Sequence, residues 1–311
     1  MGKYTKEKLK ELQSLPLEDK IFLSQQRIEE WYEHWGGAVF VAFSGGKDST
    51  VLLHIVRNIF PDVKAVYIDT GLEYPEVKQF VKTFDNVDII RPKMPFNQVI
   101  KEYGWVFPSK EGATTIEYAR KGSVWAKNKL EGLNADGSYS KYQQRYKKWK
   151  FLENAPVKIS AKCCKIMKKD TVLEYKRKTG NKCILGTMAE ESTLRRNSWL
   201  LNGCNAFNTK RPISQPLSFW TFQDILRYIK LNNLSIPSVY GDIVEEKGKL
   251  RLTGIERTGC VFCPIGCHLE NPSHIKLLKE THPKLYDYCL NTLGLKELLD
   301  YVGKELKKEL Y

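Results

Sequence analysis

The 311-residue chain contains no run of about 18 apolar residues, so none of its segments is built to cross a membrane as a helix. Its charged opening, Met-Gly-Lys-Tyr-Thr-Lys-Glu-Lys, leads into no apolar stretch, unlike a secretory signal. Internal repeats and low-complexity tracts are also missing. At 42% apolar and 12% aromatic residues the composition excludes a disordered or fibrous chain. A cytoplasmic protein with a well-buried core and no membrane contact is expected.

Acidic residues are in short supply. Fifty Lys and Arg face 36 Asp and Glu, a formal charge of +14. The excess is concentrated: Lys101 to Lys182 holds 20 basic and 8 acidic residues, with 11 aromatics that include Trp105, Trp125, Tyr142, Tyr146 and Trp149. Basic residues interleaved with aromatics suit a polyanion that presents flat bases, such as tRNA or DNA. A solvated surface on a protein with a phosphorylated small substrate gives the same composition.

Eight cysteines in a chain with no export signal argue for metal or redox chemistry over a disulfide framework. Cys163 and Cys164 are adjacent, Cys260-x-x-Cys263 is followed by Cys267, and Cys183, Cys204 and Cys289 are scattered. Adjacent cysteines do not comfortably share one tetrahedral zinc, whereas a cubane offers separate irons; thiolate-only ligation fits either metal. Gly259 and Gly266 help the backbone bend around a metal, and Cys267 is a spare thiol beside it. Cys183 lies in an apolar strand and Cys289 in a helix, both structural positions. Cys204, in Asn202-Gly-Cys-Asn205, reads either as a reactive thiol or fifth cluster contact, or as an inert loop cysteine.

Hydrophobic periodicity gives helices over residues 1 to 35, interrupted at Pro16. Ala38 to Phe43 is an apolar run bounded by glycines, a buried strand. A turn over Ser44 to Ser49 leads into a helix from Thr50. Strands at Val63 to Ile68 and Val87 to Ile90 flank a helix from Pro75 to Phe84. The alternation predicts a parallel sheet covered by helices on both faces. A basic helical insertion over about 104–160 interrupts it at the sheet's edge. The rhythm resumes with a helix over 164–178, a strand from Lys182 to Gly186 and a helix from Phe222 to Leu231 with Thr221 as N-cap. Residues 276–310 are helical. The expected organisation is N-terminal helices (1–35), a nucleotide-binding α/β domain (36–235) and a cysteine-containing loop with C-terminal helices (236–311).

Phe43-Ser44-Gly45-Gly46-Lys47-Asp48-Ser49 sits where the first strand hands over to a helix. Two glycines permit a tight turn whose N–H groups approach an anion, and the helix N-terminus favours that charge. Lys47 adds a cation, and Ser44 and Ser49 add hydroxyls. The spacer of the G-x-x-x-x-G-K-S loop is absent. So short a loop is suited to grip a pyrophosphate and expose the α-phosphorus. Arg195 and Arg196 offer guanidinium forks to phosphate, or are plain surface charges.

Ser44-Gly-Gly-Lys-Asp-Ser49 after a strand resembles the pyrophosphate loop of the N-type ATP pyrophosphatase (PP-loop) superfamily. Tyr67-Ile-Asp-Thr-Gly-Leu-Glu-Tyr-Pro-Glu76 resembles the second-strand motif of its phosphoadenylyl-sulfate (PAPS) reductase branch. Cys163-Cys164 with Lys168, Gly186-x-x-x-Glu190-Glu191-Ser192-x-x-Arg195, Pro216-Leu-x-x-Trp220-Thr221-x-x-Asp224-Ile225 and Cys260-x-x-Cys263 follow in that family's order. The resemblance implies a Rossmann-like, adenine nucleotide alpha hydrolase-like fold. It implies an adenine nucleotide, ATP or PAPS/APS, bound by Ser44, Gly45, Gly46, Lys47, Asp48, Ser49, Asp69, Thr70, Gly71, Glu191, Arg195 and Arg196. It also implies a [4Fe-4S] cluster on Cys163, Cys164, Cys260 and Cys263. Met188 departs from the pattern, standing where many relatives carry an arginine. The thiol-bearing tail of the assimilatory reductases has no counterpart after Cys289.

Three readings follow. In the first, a PP-loop enzyme adenylates a substrate with Lys47, Asp48 and Mg²⁺ and then transfers sulfur to it, as in nucleic-acid thiolation, with a sulfur or electron donor protein as partner. The second is a PAPS or APS reductase producing sulfite, with Cys204 among the thiols that would stand in for the tail cysteine. The third is a non-catalytic nucleic-acid-binding regulator.

Overall fold

The computed structural model describes residues 3–270 and 272–311, so the opening dipeptide of the charged N-terminus lies outside the described residues. It resolves into two compact units. One runs up to Asp69 and continues over Glu73–Arg91 and Val172–Thr258; the other comprises Thr70–Leu72, Pro92–Thr171 and Gly259–Tyr311.

The first unit opens with helices α1 (Lys6–Ser14) and α2 (Leu17–His34), separated at Pro16 as the sequence predicts. Strand β1 (Val39–Ala42), helix α3 (Lys47–Ile59), strand β2 (Ala65–Ile68), helix α4 (Pro75–Val81) and strand β3 (Val87–Ile90) follow in the expected alternation. The sheet is completed by β4 (Lys182–Leu185), β5 (Asn205–Ala206) and β6 (Ile213–Ser214), in spatial order β3-β2-β1-β4-β6-β5. Every pairing is parallel except β5 with β6. Alternate residues of β1 enter different cores, as period-2 geometry requires of a strand covered on both faces. Val39 and Val41 pack with Ile28 and Trp31 of α2, Leu52 of α3 and Ile225 of the helix Phe222–Leu231. Phe40 packs with Val66, Tyr175 and Cys183 in a second cluster. This is the Rossmann-like α/β fold expected.

Chain order reverses between β1 and β4. The crevice at the carboxyl ends of these two strands is where an open α/β sheet takes its ligand, and residues 43–46 emerge there.

Some boundaries differ from expectation. Helix α3 starts at Lys47, not Thr50, because Gly46 is extended (φ −80°, ψ 160°) and Lys47, Asp48 and Ser49 already form the first helical turn. Strands β5 and β6 and the hairpin β7 (Ile243–Glu246) and β8 (Lys249–Leu252) give too short a pattern to read.

The Pro216–Ile225 motif anchors α2. Lys20, 2% exposed, places its Nζ 2.7 Å from Asp224 Oδ2 and 2.7 Å from the Gln13 carbonyl. The same carboxylate oxygen accepts from the Thr221 N–H and hydroxyl at 2.7 Å, forming the N-terminal cap of the helix Phe222–Leu231. The Trp220 indole donates to Ser24 Oγ at 2.9 Å, and Ser24 donates to the Pro216 carbonyl at 3.0 Å.

The second unit is mainly helical, with helices Phe96–Tyr103, Lys110–Arg120, Val124–Leu130, His274–Thr281 and Leu295–Leu306 among its elements. Arg120 holds it from within, its guanidinium donating to the carbonyls of Leu152, Ala155 and Val157 at 2.5–2.9 Å. Gly104, at φ +75°, lies where a Cβ would fall 2.0 Å from the Lys158 carbonyl oxygen, so only glycine permits the Trp105–Ile159 bridge beside it. Among the described residues no helix is long and apolar enough to cross a membrane.

Removing one partner of a buried ion pair strands the other charge, so Lys20→Met is expected to lower unfolding free energy by about 3 kcal/mol. Lys8→Ala, which breaks the exposed Lys8–Glu11 pair, should leave the urea midpoint unchanged. Equal midpoints for the two variants would show that the buried pair does not anchor α2.

Candidate functional site

The anion loop is built by crowding. Gly45 has φ +73°, and a Cβ there would lie 2.6 Å from Val81 Cγ2 and 2.9 Å from Val77 Cγ1, so α4 packs directly on the loop backbone. Gly186, just after β4, plays the same part opposite: a Cβ would lie 3.0 Å from the Asp48 carbonyl oxygen. The N-cap Gly46 has no side chain to occupy the first N–H groups of α3, which leaves them for an anion.

The hydroxyls brace this turn. Ser49 Oγ donates to the Gly46 carbonyl at 2.9 Å and lies 3.1 Å from Ser44 Oγ, while the Ser44 N–H donates to Ser49 Oγ at 3.2 Å. Lys47 is 3% exposed, its Nζ 3.3 Å from Asp48 Oδ2 and 5.1 and 5.7 Å from the ring centres of Phe222 and Tyr240. Cation–π contact adds to the Asp48 pair in keeping the ammonium near the loop. The other carboxylate oxygen, Asp48 Oδ1, is buried without a hydrogen-bond partner.

Arg195 feels the charges of both Asp48 and the exposed Arg257. Burial first, and then the like charge of Arg257, pushes the Arg195 guanidinium down, while Asp48 opposes the shift. Arg195 also pairs with Glu191, whose Oε2 accepts from the Met188 N–H at 2.9 Å. Glu191 thus links Arg195 to the Met188 backbone. Arg196 is exposed, with a 3.4 Å contact to Thr193 Oγ1. Met188 is buried in the core.

Tyr240, Thr258 and Arg257 escaped the sequence reading. The Lys47 N–H donates to Tyr240 Oη at 3.2 Å, and Tyr240 Oη lies 2.8 Å from Thr258 Oγ1. Burial pushes the Tyr240 phenol up to about 12, so it remains a neutral hydroxyl.

Asp69, at the carboxyl end of β2, is a held carboxylate. Lys78 Nζ lies 2.9 and 3.0 Å from its two oxygens and Arg91 Nε 3.2 Å from Oδ2. Burial raises its pKa, but these two cations outweigh it and leave the carboxyl below its ordinary value.

Thr70 and Gly71 belong to the second unit, where Thr70 Oγ1 accepts from the Leu72 N–H at 3.2 Å and Gly71 turns at φ +72°. The Leu72 carbonyl in turn accepts from the Val261 N–H at 2.8 Å, tying this segment to the Cys260–Cys263 loop. Val261 and Phe262 are buried, and Phe262 stacks on Phe96 at 6.2 Å. Cys163 and Cys164 end a single turn (Lys162–Cys164) that runs into a π-helical stretch, Lys165–Asp170, a wide turn that recurs at functional sites.

These cysteines are mutually close. Burial, followed by the charges of Cys164, Cys260 and Cys263, pushes the Cys163 thiol up to about 12; burial likewise raises Cys263 to about 12, with Cys260 and Cys164 adding to it. Cys267 and Cys289 also feel the charge of Cys263. No disulfide links any of the eight. Among the described residues no group of three or more His, Cys, Asp or Glu is placed to hold a single metal ion.

Cys204 lies in the first unit's core, buried, with Ser218 Oγ donating to its sulfur at 3.3 Å. Burial raises its thiol above the ordinary value.

The phosphoadenosine phosphosulfate reductase domain model matches residues 38–102 and 110–268, and the chain belongs to that family. It is 26% identical over 301 residues to the uncharacterized protein MJ0973 of Methanocaldococcus jannaschii, covering 91% of this chain and 58% of that one. The chain thus spans little more than half of that relative. It is 23% identical over 242 residues to the adenosine 5'-phosphosulfate reductase of Bacillus cytotoxicus, covering 77% of this chain and 80% of the relative. A phosphoadenylyl-sulfate reductase structure from Candida auris covers 79% of this chain and 97% of its own, with TM-score 0.41 and 15% identity.

The thiolate, not the thiol, reacts with alkylating agents, and a raised pKa lowers its fraction at any given pH. At pH 8, iodoacetamide should therefore leave Cys204 and Cys183 unmodified in the folded protein and label both in urea, as read by mass spectrometry. Rapid labelling of native Cys204 would restore it as a reactive thiol.

Proposed function

We propose that the chain is a PP-loop adenylating enzyme that prepares an acceptor for sulfur transfer. The observation that carries this reading is Asp48 Oδ1, a buried carboxylate oxygen without a partner, next to Lys47 and the open first turn of α3. A polyphosphate with its Mg²⁺ needs both an anion cradle and a carboxylate ligand; a bare anion needs only the cradle.

ATP would lay its pyrophosphate against the N–H groups of residues 45–49. An acceptor oxygen attacks the α-phosphorus, a new O–P bond forms, and the bond to the β-phosphate breaks with its electrons leaving on pyrophosphate. Lys47, with Arg195 and Arg257, meets the charge that develops on the leaving group. Asp48 would hold the cation, which neutralises pyrophosphate when bound. In a second step a sulfur nucleophile from a donor protein displaces AMP from the adenylated acceptor.

Cys163, Cys164, Cys260 and Cys263 would hold a [4Fe-4S] cluster. Their donor set fits: Cys163 feels the charges of Cys164, Cys260 and Cys263, and four thiols suit one thiolate per iron. The cluster, when bound, would supply a site for sulfur. Burial pushes the Cys163 and Cys263 thiols up to about 12, so ionising these two calls for a cationic partner.

A PAPS or APS reductase producing sulfite is the second reading, favoured by the family and by the Bacillus cytotoxicus relative.

Anaerobically purified protein should carry about four iron and four sulfide, and Cys260→Ala should lose most of the iron. With α-labelled ATP and Mg²⁺ it should release pyrophosphate, faster with tRNA or duplex DNA as acceptor, and Lys47→Met should cut the rate about 100-fold. Sulfite from PAPS or APS without pyrophosphate from ATP would replace this reading with the second. Neither product, with nucleic acid still bound, would leave a non-catalytic regulator.

A further inference from the structure

The basic segment divides into rings that build the core and rings that do not. Trp105, Phe107, Tyr146 and Trp149 are buried. Tyr118 and Trp125 are 46% and 40% exposed, yet they meet each other, centroids 5.7 Å apart and planes at 46°. Val124 beside them is exposed, as are Tyr139 and Tyr142 in the loop that follows, Tyr142 at 82%. That loop is fixed to the Trp125 helix, with Asn128 Nδ2 donating to the Ala135 carbonyl at 3.1 Å and the Leu133 N–H to the Asn128 carbonyl at 2.8 Å. Burying these rings against their own unit would stabilise the fold, so the exposed set is unusual for a surface this charged.

The same segment also has charge left over. Glu111 is taken by Lys129 and Arg145, Glu117 by Lys121 and Glu131 by Lys150. Among the described residues, Lys127, Lys141 and Lys147 carry no salt bridge. Lys121 also stands 5.8 Å from the Tyr118 ring centre.

We propose that this face is a stacking platform for unpaired nucleotides of an RNA, with Tyr118 and Trp125 taking bases and Lys127, Lys141 and Lys147 the phosphates. Flat rings backed by spare ammonium groups complement a ligand with base faces and a polyanionic backbone. A duplex hides its base faces, whereas RNA loops and single strands display them. An acidic protein would match the charge and leave the rings unexplained. The proposal rests on the reading above only in taking this RNA to be the acceptor; the binding itself needs neither ATP nor the cluster.

The test is fluorescence anisotropy of the full chain, without ATP, against a labelled unstructured RNA 12-mer and an RNA duplex of equal charge, across a salt series. Tighter binding of the single strand is expected, with at least about ten-fold loss in the Trp125→Ala and Tyr118→Ala variants. Trp125→Phe should retain most of the affinity. Lys127→Ala with Lys141→Ala should flatten the salt dependence. Circular dichroism and ATP-dependent pyrophosphate release without RNA should match the parent in Trp125→Ala, separating loss of the platform from loss of fold or of the adenylating site. Equal affinity for duplex and single strand, no binding, or undiminished binding by Trp125→Ala would each overturn the proposal. Single-strand binding without pyrophosphate release would keep the platform and remove the adenylating reading.

Discussion

The first unit is organised around a helix terminus that must be packed tightly and left chemically bare. Side-chain caps are how helices normally satisfy their first N–H groups, and α3 has none. Gly46 stands at its N-cap, and crowding by Val77 and Val81 at Gly45 and by the Asp48 carbonyl at Gly186 fixes the turn together with the Ser44 and Ser49 hydroxyls. Larger residues there would have to push α4 or β4 away from the loop. The arrangement trades the stability of a cap for amides that stay available at the sheet's switch point. Tyr240 takes the Lys47 N–H and Ser44 Oγ accepts from the Gly46 N–H.

Charge follows the same economy. Lys47 is buried against two aromatic rings, its one carboxylate contact is long, and that carboxylate keeps an oxygen unpartnered. Two other buried charges of the unit are answered: Lys20 has Asp224 and a carbonyl, and Asp69 has Lys78 and Arg91. Burying a polar group without a partner is costly, so Asp48 Oδ1, beside Lys47, is one position in the unit where a ligand's charges would complete the network. Arg195, already paired with Glu191, also feels the like charge of Arg257.

How much of this could be read in the chain depends on distance along it. The apolar run at Ala38 to Phe43, the glycine pair and the alternation of strand and helix are local, and they gave the sheet, its parallel sense and the place of the loop. Thr221 as an N-cap was legible for the same reason. Tyr240 and Thr258 were not, because their meeting needs the β7–β8 hairpin and a return in which Gly254 donates to the Tyr240 carbonyl. No periodicity announces that register. Cys204 shows the converse: its flanking turn formers describe an exposed loop, but its partner Ser218 and the core around it lie in a later segment.

The basic segment shows why composition alone is a poor guide to an interface. Of the five aromatics that first suggest stacking on bases, Trp105, Tyr146 and Trp149 are buried and serve the second unit's own packing. Tyr146 even faces inward with a lysine on it, Lys129 Nζ standing 4.4 Å from its ring centre. A count of interleaved rings and cations therefore mixes two physically different populations. One lowers the free energy of the fold by leaving water; the other remains in water at a cost that only a partner would offset. Trp125 and Tyr142 belong to the second population, joined by Tyr118 and Tyr139. Exposure separates the two and charge does not, since lysines accompany both.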